Sequence, residues 1–228
     1  MTPGSAPGLV VAVTRPEPQA SGTVARLAER GFSPVPAPLL EAVAADPPGA
    51  ADGIGALALT SRTAALMLAP FAAFHRIPVY AVGTATAREA RRAGFETVAD
   101  AAGTVDDLVA RLADAPGLVV HMAGEQHTGD LVERLVAAGR PASRRIVYSM
   151  APRTLPAVER VDVVLLFSPR TAHVFVAEAT APPWSTARLI AMSDKVAAVV
   201  AGRAVTVAAA PTEAAMLAAL TTGSGERR

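Results

Sequence analysis

The sequence has no cysteine, few aromatic residues and no long apolar run. Without cysteine there is no disulfide, no thiolate metal ligand and no cysteine nucleophile. The longest apolar stretch, near 189–210, is interrupted by Asp194, Lys195 and Arg203, which argues against a membrane span. A net charge of +1 gives no overall attraction to nucleic acid. Because residues 1–8 also lack the pattern of a signal peptide, we expect a cytoplasmic protein with no nucleic-acid or membrane partner.

What the sequence does contain is an internal repeat. The segment Leu59-Thr60-Ser61-Arg62-Thr63-Ala64 recurs as Phe167-Ser168-Pro169-Arg170-Thr171-Ala172, each after a short apolar run. Further pairs keep nearly the same spacing: Gly94 with Gly202, Thr104 with Thr212, and Gly31 with Gly139. A repeat that begins in mid-chain and continues at the opposite terminus predicts two similar domains, one of them discontinuous.

Short apolar runs alternate with helix-length segments, which is typical of a parallel sheet with crossover helices. The predicted strands are Leu9–Thr14, Ala56–Thr60, Val79–Val82, Leu118–Met122, Val161–Phe167, Leu189–Met192 and Ala204–Ala208. The predicted helices are Gln19–Arg30, Thr63–Phe74, Thr84–Ala93, Val105–Ala113, Thr128–Ala138, Thr171–Glu178, Asp194–Ala201 and Glu213–Leu220. We therefore predict an α/β fold with two similar Rossmann- or flavodoxin-like parallel-sheet domains.

Two extended, proline-marked segments, 33–43 and 144–152, fit neither domain and lie at equivalent positions of the repeat. We interpret them as a two-stranded connector. The predicted boundaries are residues 1–36 with 153–228 for domain one, 44–143 for domain two, and 37–43 and 144–152 for the connector strands.

Loops rich in small hydroxyl residues follow the predicted strands. Ligands of open parallel sheets bind beyond the carboxyl ends of the strands, where helix N-termini also point. Exposed N–H groups and arginines at such loops bind carboxylate or phosphate. We predict one substrate-binding rim per domain. Domain one contributes Thr14, Arg15, Ser168, Pro169, Arg170, Ser193 and Lys195, and domain two contributes Ser61, Arg62, Gly83, Thr84, Thr86 and Gly124.

The same residues also have an ordinary interpretation as helix caps and solvated arginines, so the hypothesis depends on their recurrence in both halves. His121 and His127 lack metal-ligand spacing, and no glycine fingerprint of a dinucleotide site follows the first strand. Ser61 lacks the strained turn of a serine nucleophile. Tyr148, in the predicted connector, is open to two interpretations, a packing residue at a hinge or a residue of the site.

Seven short motifs, in order and spacing, resemble the uroporphyrinogen-III synthase family across essentially the whole chain. They are Val13-Thr14-Arg15-Pro16, Leu59-Thr60-Ser61, Val82-Gly83-Thr84-Ala85-Thr86-Ala87, Ala123-Gly124-Glu125, Val147-Tyr148, Phe167-Ser168-Pro169 and Ala210-Pro211-Thr212. The resemblance implies two α/β domains with the active site in the cleft between them, no cofactor and no metal. We expect a monomer whose partner is a linear tetrapyrrole substrate.

The implied reaction is cyclisation of hydroxymethylbilane to uroporphyrinogen III, with inversion of ring D and loss of water. The resemblance places Ser61, Thr86, Tyr148 and Ser168 around the substrate, with Tyr148 as the predicted catalytic residue. The chain departs from the family at Ser193-Asp194-Lys195-Val196, where a glycine followed by two threonines is usual. Lys195 is the predicted substitute as a carboxylate partner. The departure leaves an alternative open, namely a non-catalytic tetrapyrrole-binding or regulatory homologue.

Overall fold

The computed structural model describes residues 8–126 and 129–222. The segment 1–7, His127 and the predicted helix start at Thr128 lie outside these ranges. Backbone contacts divide the chain into two compact units. Unit 1 comprises Met1–Glu41 and Ala151–Arg228, and unit 2 comprises Ala42–Met150.

The elements follow one another along the chain as alternating strands and helices. They are β1 (Val10–Val13), α1 (Gln19–Glu29), β2 (Ser33–Pro36), β3 (Leu40–Ala44), β4 (Ile54–Leu59), α2 (Arg62–Leu68), a 3₁₀ turn (Ala72–Phe74), β5 (Val79–Ala81), α3 (Thr84–Arg92), β6 (Val98–Asp100), α4 (Val105–Leu112), β7 (Leu118–Gly124), α5 (Leu131–Ala137), β8 (Ala142–Pro152), β9 (Val163–Leu166), α6 (Pro169–Glu178), β10 (Arg188–Ala191), α7 (Asp194–Val199), β11 (Val205–Val207) and α8 (Glu213–Thr222). Within the described ranges, no helix is long and apolar enough to cross a membrane.

The two sheets share one strand order over five strands. Within the described residues, one sheet has five strands in the order β11–β10–β9–β1–β2, and the other has six in the order β3–β8–β7–β4–β5–β6. The neighbours from β11 to β2, and from β6 to β8, pair in parallel. Read from β11 and from β6, the orders correspond strand for strand through five positions. The predicted α/β class with two similar parallel sheets is confirmed.

Strand β9 shows why the central strands are apolar throughout. Val163 and Leu165 contact one hydrophobic core of unit 1, whereas Val164 and Leu166 contact the other. All four side chains are at most 1 % exposed. A strand covered by helices on both faces has no polar face, so its sequence shows a continuous apolar run rather than alternation.

Glycine follows the equivalent helices α3 and α7, directly after the C-cap Ala93 of α3 and two residues after the C-cap Val200 of α7. Gly94 has φ 98° and Gly202 has φ 94°. A side chain is disfavoured in this left-handed region, so glycine at this position terminates a helix at low cost.

One predicted helix extends too far and one strand was missed. The helix predicted over Thr63–Phe74 ends at Leu68, and a separate 3₁₀ turn follows. Pro70 accounts for this break, because proline cannot donate to the helical ladder and restricts the residue before it. Strand β6 has three residues and ends in Asp100, so it lacks the apolar run that marks the equally short β5 and β11.

The predicted connector segments belong to the sheets. The segment predicted as extended over 33–43 is divided into β2, which pairs with β1, and β3, which lies beside β8. Strand β8 begins at Ala142 and pairs with β7. The extended conformation predicted for both segments is therefore present, and part of each is a strand of the six-stranded sheet.

Candidate functional site

In unit 2, the predicted rim residues lie at the carboxyl ends of β4, β5 and β7. Ser61 is the N-cap of α2, with φ −139° and ψ 146°, and its Oγ accepts a 3.0 Å hydrogen bond from the N–H of Ala64. Arg62, the first residue of α2, is half-buried. No hydrogen bond or ion pair joins the guanidinium of Arg62 to another described residue, so this group is available to an anion.

Tyr148 lies beside this helix start. Its Oη is 3.3 Å from Ser61 Oγ, and its side chain is half-buried. In the preceding residue, Thr60, Oγ1 is 2.9 Å from Nε2 of His121, whose imidazole is 1 % exposed. The sequence drew attention to His121 only as an unsuitable metal ligand, and its contact with Thr60 has no signal in the sequence.

The start of α3 carries no side-chain cap. Gly83 is extended at φ −164°. A hydrogen bond from the Thr84 hydroxyl holds the pKa of the Asp100 carboxyl below its usual range, and Ala102 N–H donates to the same carboxylate at 3.0 Å. Thr86 is 6 % exposed. Without a side-chain cap, the first N–H groups of α3 remain open to an anion, whereas the Thr84 hydroxyl is engaged.

Unit 1 repeats this arrangement. Ser168 caps α6, accepting a 3.1 Å hydrogen bond from Thr171 N–H. Pro169 opens the helix and is exposed, and Arg170 is half-buried. As at α2, the serine hydroxyl accepts a hydrogen bond from a backbone N–H in the first turn of its own helix.

The neighbouring helix α7 is again uncapped by a side chain. Ser193 precedes it in an extended conformation, with φ −160°, and Lys195 is exposed. Lys195 forms no ion pair with another described residue. At the carboxyl edge of its sheet, each unit therefore has a helix whose first turn is capped by a serine side chain and a helix whose first turn has no side-chain cap.

Thr14, another predicted rim residue, is used by the fold. Its side chain is fully buried, and its hydroxyl donates to the carbonyl of Leu165 at 2.6 Å. Its own carbonyl accepts from Leu39 N–H at 3.1 Å. The polar groups of Thr14 thus tie β1 to β9 and to the segment after β2.

Arg15 is held within a charged cluster. Its guanidinium carbon is 4.6 Å from the centre of the Phe167 ring, and Nη1 donates to Glu213 at 3.1 Å and to Thr23 at 3.3 Å. Glu213 also accepts from Arg26 at 2.8 and 2.6 Å. The sequence identifies Glu213 only as part of a helix start, because its partners are remote along the chain.

We expect this cluster to stabilise unit 1. Glu213→Gln should lower the free energy of unfolding by about 1–2 kcal/mol, because two arginines lose their charged acceptor at a site where Arg15 and Glu213 are each 22 % exposed. Urea denaturation measures the change. The matched control is Glu96→Gln, which removes an exposed ion pair with Arg76 and should cost less than about 0.5 kcal/mol. Equal losses in the two variants would contradict the expectation.

Comparison with known proteins identifies the family. The family model described as uroporphyrinogen-III synthase HemD matches residues 21–220. The chain belongs to the uroporphyrinogen-III synthase family. This confirms the resemblance found in the sequence, and it makes the chain a cyclising lyase of tetrapyrrole biosynthesis. The non-catalytic alternative is not favoured. A search of curated proteins gave no match.

Solved structures of uroporphyrinogen-III synthases share the fold. The uroporphyrinogen-III synthetase from Helicobacter pylori 26695 is 16% identical, with a TM-score of 0.65 over 94% of this chain and 99% of that one. A mutant uroporphyrinogen III synthase from the extremely thermophilic bacterium Thermus thermophilus is 16% identical, with a TM-score of 0.51 over 94% and 98%. At this identity the likeness is one of fold, and the roles of individual residues are a separate matter.

Proposed function

We propose that this chain cyclises hydroxymethylbilane to uroporphyrinogen III, with inversion of ring D and release of water, and that Tyr148 assists departure of the hydroxyl. Membership of the family supports the reaction. The observation that supports the role of Tyr148 is its position at a carboxyl-terminal sheet edge, with Oη 3.3 Å from the hydroxyl of the helix-capping Ser61.

The substrate itself supplies most of the reactivity. A pyrrole nitrogen expels the hydroxyl to give an azafulvene, and the last ring attacks it at a substituted carbon to form a spiro intermediate. That intermediate fragments and closes again with the ring inverted, and the hydroxyl leaves as water. The protein must therefore hold a folded conformation of the substrate and protonate the leaving hydroxyl. A phenol that donates its O–H to the leaving oxygen meets the second need.

Binding of the substrate needs anion sites, since hydroxymethylbilane carries eight carboxylates. We propose that Arg62 and the open start of α3 bind carboxylates in unit 2, and that Lys195 does so in unit 1. Neither Arg62 nor Lys195 is in an ion pair with another described residue. Thr14 and Arg15 are engaged by the fold, so we give them a supporting role behind the rim.

The state of the protein in the cell is also a proposal. We propose a cytoplasmic monomer that acts without nucleic acid, in keeping with the absence of cysteine and the net charge of +1. Light scattering after size-exclusion chromatography should give the mass of one chain.

The decisive assay uses freshly prepared hydroxymethylbilane and separates the product isomers. We expect uroporphyrinogen III at a rate well above spontaneous ring closure. Formation of the uninverted isomer alone, at the spontaneous rate, would overturn the proposal. Tight product binding without acceleration would instead support the non-catalytic alternative.

Lys195 offers a specific test, because it is the only lysine of the sequence. Lys195→Ala should raise KM by roughly 5- to 10-fold, since an exposed ammonium contributes less to binding than a buried one. Lys195→Thr, which restores a hydroxyl of the kind usual at this position, should stay within roughly 3-fold of wild type. Reductive ¹³C-methylation of wild type gives a single side-chain NMR signal that should move when product binds. An unchanged KM in Lys195→Ala, with a static signal, would remove Lys195 from the site.

A further inference from the structure

Gly124 leaves room for the ring of Tyr148. A Cβ built on Gly124 would lie 2.6 Å from Cζ, 2.7 Å from Cε2 and 2.9 Å from Oη of that tyrosine. Gly124 is not among the glycines with positive φ, so its backbone conformation does not require glycine. The missing side chain therefore serves the position of the phenol. The N–H that follows, of Glu125, donates to the carbonyl of Tyr148 at 2.9 Å and holds the two strands together here.

A β-bulge directs the tyrosine to this position. The register of β7 and β8 shifts between Ala123 and Gly124, which pair with Ile146 and Tyr148 and leave Val147 as an extra residue. Val147 belongs to a core cluster of unit 2, and Tyr148 packs against the same cluster. Consecutive residues of a regular strand would face opposite sides. Bulges redirect side chains in this way and are frequent beside active sites.

Ser61 contacts the hydroxyl of the phenol. As N-cap, Ser61 already accepts a hydrogen bond from Ala64 N–H, and its own proton remains for another acceptor. The nearest hydroxyl partner is Tyr148 Oη at 3.3 Å. When serine donates, the phenol keeps its proton for a group outside the protein. Either hydroxyl can donate in this pair, and proton donation by the phenol to a group outside the protein requires serine to be the donor.

We infer that Gly124, the bulge at Val147 and Ser61 are positioning elements of the reaction, which fix the Tyr148 phenol with its proton directed towards the departing hydroxyl. The inference rests on the proposed function. The sequence predicted that Gly124, as a loop glycine, exposes a backbone N–H to the substrate. The inferred role is different, because the tyrosine ring fills the space above its Cα.

The first test does not depend on turnover. The sequence has two tyrosines, so incorporation of 3-fluorotyrosine in a Tyr80→Phe background leaves Tyr148 as the only ¹⁹F signal. Gly124→Ala and Ser61→Ala should each move that signal in the protein without substrate. The matched control is Gly22→Ala, where a Cβ meets only the guanidinium of Arg26, at 3.4 Å, and the signal should stay in place. A signal unmoved by Gly124→Ala would overturn the inference.

The second test is a double-mutant cycle. Gly124→Ala should lower kcat by about 10-fold, because a displacement of the order of 1 Å misplaces the donor, and should change KM much less. In the Tyr148→Phe background the same change should have little further effect, since the hydroxyl is already gone. The backbone at residue 124 accepts alanine, so any loss of thermal stability reports the displacement of the Tyr148 ring, and thermal unfolding of the variant in both backgrounds measures it. A loss of the same size in both backgrounds would reduce Gly124 to a packing residue and overturn the inference.

The two tests keep this inference separate from the proposed function. If wild-type protein forms no uroporphyrinogen III, the proposed function is overturned, and so is a catalytic role of Tyr148. The ¹⁹F signals still decide whether Gly124 and Ser61 fix the position of the phenol. If wild type and Tyr148→Phe turn over at the same rate, the family activity is supported and the positioning role is overturned.

Discussion

Replacement of Tyr148 by phenylalanine is expected to lower kcat by about 10- to 100-fold, on the scale of general acid catalysis. The change removes only the hydroxyl that we propose as donor to the leaving oxygen. A phenol is a weak acid and the substrate expels its hydroxyl with internal assistance, so activity should fall without vanishing. KM should change little, because the contact strengthens as the hydroxyl departs.

Single-turnover measurements with hydroxymethylbilane would separate this step from product release. Tyr80→Phe is the matched control, since it removes the other phenol of the chain, on β5, and should leave kcat unchanged. Thermal unfolding of both variants tests whether the fold is intact. If Tyr148→Phe turns over at the wild-type rate, Tyr148 is a packing residue of the β7–β8 edge.

Replacement of Arg62 by alanine is expected to raise KM by about 10- to 150-fold, which corresponds to the 1.5–3 kcal/mol of a charge-assisted hydrogen bond. Arg62 is the first residue of α2 and is not paired with another described residue, so its guanidinium can bind a carboxylate without breaking an internal contact. The contact exists in the ground state as well as in the transition state, so kcat should fall much less.

The control for Arg62 is Arg92→Ala, at the far end of α3, where an exposed arginine with no described partner should be dispensable. The KM of wild type should rise with ionic strength, and the KM of Arg62→Ala should rise less steeply. An Arg62→Ala enzyme with wild-type KM and wild-type salt dependence would exclude this arginine from substrate binding.

The fold was largely predictable because its signals are local and recur. Central strands such as β9 are short apolar runs, and glycines such as Gly94 and Gly202 mark helix ends in both halves. The repeat then supplied the long-range organisation that local patterns lack. Pro70 was a visible signal that the prediction of one long helix overlooked. Strand β6, which ends in Asp100, has no apolar run to mark it.

For the candidate site, the sequence predicted which loops contribute residues but not which side chains are available to a ligand. Sequence motifs placed Ser61 and Ser168 at helix starts, where both are now seen to act as N-caps. They could not distinguish an arginine that is unpaired within the described ranges, such as Arg62, from one engaged by a remote carboxylate, such as Arg15 with Glu213. Likewise, Gly124 looked like a loop glycine, since the ring above it comes from another strand and reaches it through a bulge.

The discontinuity of unit 1 sets an order on folding during synthesis. Strand β1, at residues 10–13, pairs with β9, at residues 163–166, and Val10 N–H donates to Asp162. Until those residues leave the ribosome, β1 has only β2 beside it in its sheet, and a two-stranded pair is marginally stable. Unit 2 is one continuous stretch and is completed first. The usual order, in which the amino-terminal domain folds first, is thus reversed, because the sheet that contains β1 is completed only after the last third of the chain has been synthesised.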